Sequence, residues 1–174
     1  MESRDLANEL VAFRPFEDTD LEAVFRLHND LETKTLTLGW QLPVTREACR
    51  VWMADRAKAQ DDATWAVVDN DSSFVGVVRV MDIERMSRRG EIGLYFSPDA
   101  RGRGLGVATV RLACDWAFGF LGLHRITARI LADNARALAV FDKCGFAREG
   151  LLRDEEYRLG RYHDVVQLGL LAPA

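Results

Sequence analysis

Arg101-Gly102-Arg103-Gly104-Leu105-Gly106 decides how this chain folds, together with Glu91-Ile92-Gly93-Leu94-Tyr95-Phe96 before it and the stripe Leu105, Ala108, Leu112, Trp116 after it. The segment from Glu91 to Phe96 has the character of a strand, and the stripe recurs at the spacing of one helix face. A strand therefore feeds a glycine-rich turn that opens a helix. Alternating glycines let the backbone turn tightly and present its N–H groups outward, and the helix adds the positive end of its dipole. Arg101 and Arg103 bring mobile positive charge to the same place, so the stretch reads as a socket for phosphate.

Working outward, Gly122 stops the helix and Arg125 to Leu131 alternates as a strand. Glu91 to Leu131 is then a parallel strand–helix–strand unit. Upstream, Trp65–Val68 and Phe74–Val80 flank the turn residues Asp69 to Ser73 and predict a hairpin. Three antiparallel strands in a row before the loop are unlike the alternating units of a doubly wound sheet. Val11 to Pro15 predicts a short first strand, followed by a helix capped by Asp18 that ends by Thr33. Thr35 to Pro43 crosses to a second helix capped by Thr45, and this crossing is placed to lie over a ligand cleft. Downstream, Asn134 caps a shorter helix closed by Gly145, and the tail holds a strand, a charged connection and the apolar run Val165 to Leu170. The expected class is α+β in three layers, a mixed and largely antiparallel sheet of six to seven strands flanked by about four helices, in one domain over residues 1–174.

A chain of 174 residues with 48% apolar content can bury one proper core. Its net charge of −4 argues against general nucleic-acid binding while allowing a local basic patch. Cys49, Cys114 and Cys144 are odd in number and lack metal-ligand spacing, so no metal is expected. With no signal-like start and no apolar run near the ~18 residues of a spanning helix, a cytoplasmic protein without a membrane partner is expected.

The loop is not a nucleoside-triphosphate cradle, because Gly104 is followed by Leu105 and Gly106 by Val107 where Gly-Lys-Ser or Gly-Lys-Thr would be needed. A dinucleotide fingerprint fails as well, since Gly102-x-Gly104-x-x lands on Val107. The pattern Arg101-x-x-Gly104-x-Gly106 resembles the acetyl-CoA motif of the GCN5-related N-acetyltransferases. Glu91-Ile92-Gly93-Leu94, Asn134-Ala135-Arg136-Ala137, Cys144-Gly145-Phe146 and Gly160-Arg161-Tyr162-His163-Asp164-Val165 extend the likeness over nearly the whole chain. They match the subgroup of ribosomal-protein N-terminal and spermidine acetyltransferases.

That resemblance implies the acyl-CoA N-acyltransferase fold, its sheet splayed between the fourth and fifth strands, with acetyl-CoA as donor and a primary amine as acceptor. The amides of Gly102, Arg103, Gly104, Leu105, Gly106 and Val107, beside Arg101, would hold the pyrophosphate. The edge at Leu94, Tyr95 and Phe96 would pair with the pantetheine arm, and an amide near Phe96 would face the oxyanion. Asn134, Ala137, Phe141 and Lys143 would line the other side of the arm. Dimers are frequent in this subgroup, which makes a homodimer part of the expectation.

An alkyl amine has a pKa near ~10, so attack on a thioester requires a proton acceptor. Glu91 is the first candidate base; its other reading is a solvated strand carboxylate or an ion-pair partner. The departing thiolate calls for a donor, yet Phe141 and Ala137 stand where relatives carry tyrosine and serine. Tyr95, Tyr157, Tyr162 and His163 remain as donors, with His163 also readable as a residue that orients the last strand. Trp40 lies where the family places its acceptor, and a packing role fits it as well. The acceptor is a protein N-terminal amine or a small amine. A polyamine is the alternative, recruited by Asp30, Glu32, Glu84 and Asp154 to Glu156 unless these form a solvated acidic face. A CoA-binding module without catalysis is the competing class.

Overall fold

Strands β1 (Val11–Arg14), β2 (Ala63–Asp69), β3 (Phe74–Glu84), β4 (Arg89–Phe96), β5 (Arg125–Leu131), β6 (Ala147–Arg158) and β7 (Arg161–Leu171) form one sheet in the order β1-β2-β3-β4-β5-β7-β6. This is a computed structural model that describes residues 6–39 and 42–173; Trp40 lies outside the described residues. Neighbouring strands are antiparallel except β4 and β5, which run parallel as the strand–helix–strand unit requires. The helices are α1 (Leu21–Asn29), α2 (Leu31–Leu36), α3 (Arg46–Arg56), α4 (Leu105–Gly119) and α5 (Ala135–Lys143).

Alternation along the strands splits the sheet into two faces. Val78, Val80, Ile92, Ile126, Ala128 and Val166 are buried on one face with Val110, Ala113 and Ala117 of α4 and Phe141 of α5. On the other, α1 and α3 pack through Val24, Cys49 and Met53, and His28 of α1 reaches Tyr95 of β4. The expected caps are present: Thr45 Oγ1 accepts the Ala48 amide at 3.1 Å, and Asn134 Oδ1 accepts the Ala137 amide at 3.1 Å. Gly122 and Gly145 take the left-handed φ values of 65° and 87° that end α4 and α5.

Two local expectations are corrected, and the end of the first helix is located. Asp18 does not cap the first helix: it begins a short 3-10 turn capped by Glu17, and Asp20 instead accepts the Glu17 amide and two hydrogen bonds from Arg14. The first helix ends before Thr33 as expected, because Asp30 turns extended (φ −64°, ψ 124°), ends α1 and caps a further short helix, α2. The charged connection in the tail is strand: β6 and β7 meet in a tight hairpin at Leu159-Gly160, where charged side chains point to solvent from an edge strand. Among the described residues no helix is long and apolar enough to cross a membrane.

Candidate active site

Gly102 and Gly104 adopt φ of 77° and 79°, and open space surrounds the point where a Cβ would sit on either. Their role is conformational, since L side chains avoid this region. Gly104 is the N-cap of α4 and offers no capping side chain, so the first-turn N–H groups, which have no intrahelical partner, stay open to an anion. Gly106 does a different job. A Cβ there would lie 3.2 Å from Cγ2 of Val140, so its absence lets α4 approach α5.

Both arginines of the loop have carboxylate partners. Arg101 donates to Glu32 Oε2 at 2.6 Å, Asp30 Oδ2 at 2.5 Å, Thr33 Oγ1 at 2.7 Å and the Phe96 carbonyl at 3.3 Å. Its charge is therefore spent on α2. Arg103 pairs with Asp69 at 2.9 Å. The first-turn amides stay open, as the glycines imply.

The parallel ladder between β4 and β5 ends at Glu91↔Thr127. Beyond it β4 continues along β3 to Phe96, and β5 continues along β7 to Leu131, so the two halves diverge. The β4 edge from Ile92 to Phe96 thereby has no strand partner on the β5 side among the described residues. Leu94 and Phe96 pack into the α4–α5 core. The Ser97 amide is taken by the Val75 carbonyl at 2.9 Å, which removes it as an oxyanion donor.

Glu91 and Tyr95 share the opposite face, about 13 Å apart along the strand. Burial raises the Glu91 carboxyl above its ordinary range; Asp82 adds to this, while Arg129 and Arg79 oppose it. Tyr95 Oη lies 2.9 Å from His28 Nε2, and Cys49 Sγ lies 3.9 Å from His28 Nδ1. Nearby, buried Asp62 holds Arg79 and Arg56.

On α5 the geometry separates residues that the sequence grouped. Asn134 is occupied at both ends, capping α5 and donating from Nδ2 to the Leu36 carbonyl at 3.2 Å. Ala137 is partly buried against the core. Phe141 is only 3% exposed, with its ring edge-on to Phe146 at 4.9 Å, so it is core and not a wall of the cleft. Lys143 is exposed, and its carbonyl accepts from Arg111 at 3.1 Å.

Residues 11–147 match the acetyltransferase (GNAT) domain family. The chain belongs to the GNAT acetyltransferase family. It is 30% identical to spermidine N(1)-acetyltransferase of Vibrio cholerae over 107 residues, 62% of this chain and 62% of that relative. It is 27% identical to spermidine N(1)-acetyltransferase of Escherichia coli K12 over 158 residues, 91% of this chain and 84% of that one. A putative ribosomal N-acetyltransferase of Bacillus subtilis, YdaF, is 32% identical over 101 residues, 58% and 55% of the two chains. In structure, the Vibrio cholerae spermidine N-acetyltransferase solved with CoA and spermine superposes with a TM-score of 0.88 at 24% identity, covering 94% of this chain and 96% of that one.

As a GNAT enzyme the chain takes acetyl-CoA as donor and an amine as acceptor. The open N–H groups at Gly104 and the free β4 edge fit that donor. Tyr157 and Tyr162, two of the candidate donors, meet edge-on at the exposed hairpin tip. His163 is held by Asp133 at 2.8 Å and the Arg158 carbonyl at 3.3 Å, the orienting role. Burial pushes the Cys144 thiol up, and its Sγ lies 3.7 Å from the Val107 carbonyl. His28 escaped the sequence reading although a signal was present: it follows Leu21, Val24 and Phe25 at helical spacing on the buried stripe of α1.

Proposed function

We propose that this GNAT chain acetylates a primary amine on a singly charged acceptor, a protein N-terminus or a small monoamine. The observation that carries this reading is the pairing of acidic residues with arginines. Asp30 and Glu32 are held by Arg101, Glu84 by Arg89, Glu155 by Arg129 and Glu156 by Arg158. A polyamine needs several open carboxylates along its length, and of the acidic residues nominated from the sequence only Asp154 is without an arginine partner among the described residues. The polyamine alternative draws its support from the spermidine acetyltransferases among the relatives.

Acetyl-CoA supplies the activated acyl carbonyl. The amides from Gly102 to Val107 hold the pyrophosphate, and the edges of Leu94, Tyr95 and Phe96 hold the pantetheine arm, with Ala137 bordering it. Glu91 acts as the base: it stands where the ladder ends, and its burial poises the carboxylate to take a proton. With Phe141 buried and alanine at position 137, water protonates the leaving thiolate.

Residues 1–174 serve as one acetyltransferase domain, a reading supported by a single sheet running from Val11 to Leu171. The acidic net charge and three unpaired cysteines support a cytoplasmic enzyme without a nucleic-acid or membrane partner, and the exposed β6 edge supports a homodimer. Thiol release from acetyl-CoA measured across monoamines, peptides and polyamines tests the acceptor. Turnover of monoamines or peptides at least about tenfold above spermidine is expected, equivalent to one unmatched charge contact. The reverse order would establish the polyamine reading, and CoA binding without turnover of any amine would leave a silent module.

A further inference from the structure

Beyond Glu91↔Thr127 no ladder joins the two halves of the sheet among the described residues, yet α2 touches both. From the β4 half, Arg101 reaches its N-terminus: the guanidinium binds Asp30, Glu32 and Thr33 while its Nε donates to Phe96, the last residue of β4. From the β5 half, Arg136 at the start of α5 also binds Glu32. Asn134 Nδ2 donates to the Leu36 carbonyl at 3.2 Å, and Arg158 Nη1 donates to the Lys34 carbonyl at 2.8 Å. The helix is six residues long, too short to hold its shape unaided.

We propose that Arg101 is a positioning residue, not a phosphate ligand: by gripping Asp30 it clasps α2 across the open end of the split and sets the acceptor side of the cleft. The Arg101–Asp30 pair is its strong half, with side chains only 20% and 23% exposed. The Glu32–Arg136 pair is the weaker half, because Arg136 is 71% exposed and water screens it. Asp30 serves two partners at once, since its Oδ2 also accepts the Thr33 amide at 2.8 Å as the cap of α2. Arg101 therefore acts through α2, which packs on α1, whose His28 contacts Tyr95.

The clasp and a phosphate role make opposite predictions for Asp30→Asn, which keeps a good cap but loses the charge. If Arg101 were a phosphate ligand, Asp30→Asn would release it toward the donor and tighten acetyl-CoA binding, whereas Arg101→Gln would weaken it. The clasp predicts that both variants leave acetyl-CoA affinity by calorimetry within about twofold and speed amide exchange across Leu31–Leu36. Both should raise the acceptor KM about five- to tenfold, the scale of one charge-assisted hydrogen bond. The double variant should be no worse than either single one. Arg101→Lys should behave like Arg101→Gln, because an ammonium cannot span Asp30, Glu32 and Phe96 together. Additive effects, unchanged α2 exchange, or opposite shifts in acetyl-CoA affinity would overturn the proposal. Only the acceptor KM rests on the proposed function; exchange and calorimetry need no turnover, so failure of that reading would leave them standing.

Discussion

The Tyr95 hydroxyl lies 2.9 Å from Nε2 of His28, so the fourth strand and the first helix meet through a buried polar contact. Burial lowers the His28 pKa to about 4, with Lys34 and Arg79 adding to the shift, and burial raises the Tyr95 pKa. A neutral imidazole suits this position: one ring nitrogen accepts while the other donates.

Stability should fall on mild acidification because of His28. The unfolded chain takes up this proton near pH 6.5 and the folded chain only near 4, so protons favour unfolding in between. The contribution is complete above pH 6.5 and is lost as pH drops toward 4, amounting to about 2 kcal/mol between pH 7 and pH 5. Urea denaturation at both pH values should show a smaller loss for His28→Gln. Equal losses in the two proteins would remove His28 as the cause.

The acid limb of kcat/KM should lie above the ordinary glutamate value of 4.5, because burial holds the Glu91 proton more tightly and a base must be ionised to act. Glu91→Gln should lower kcat by about 10²- to 10⁴-fold, the usual contribution of a general base, and abolish that limb while leaving CoA affinity intact. A retained limb in the variant would assign the titration elsewhere.

Gly104→Asp should weaken CoA binding about tenfold or more, since a carboxylate would enter the phosphate socket and repel it. The left-handed φ of 79° at this N-cap adds backbone strain for any side chain. Gly104→Ala, with the strain and without the charge, separates the two causes by isothermal titration. Unchanged affinity in both would refute the loop as the donor site.

Phe141→Ala should cost about 3–5 kcal/mol of stability, as expected for emptying a buried aromatic site, because the ring is 3% exposed and packed on Phe146. Chemical denaturation measures this directly. A stable variant with a raised acetyl-CoA KM would instead return Phe141 to the wall of the cleft.

Local chemistry made much of the fold legible. The glycine turn, the α4 stripe, the Asp69–Ser73 hairpin and the Thr45 and Asn134 caps each depend on residues a few positions apart, and each is present. Asp30 was harder to read. Its carboxylate caps α2 locally through the Thr33 amide, but it also binds Arg101, 71 positions away, which no local pattern announces. The same distance hid the fate of the loop charges, since an arginine beside glycines looks available to phosphate until its carboxylate partners are known.

By itself, the sequence determined the order of strands and helices, the parallel unit around the loop, and the left-handed glycine turn that opens α4, all governed by short-range sterics and hydrogen bonding. Tertiary structure alone decided where side chains of distant segments meet. It turned Arg101 to α2, sank Phe141 into the core, joined His28 to Tyr95 and left Glu91 half-buried at the end of the ladder. Charge pairing and desolvation depend on neighbours in space, and those neighbours exist only once the sheet has formed.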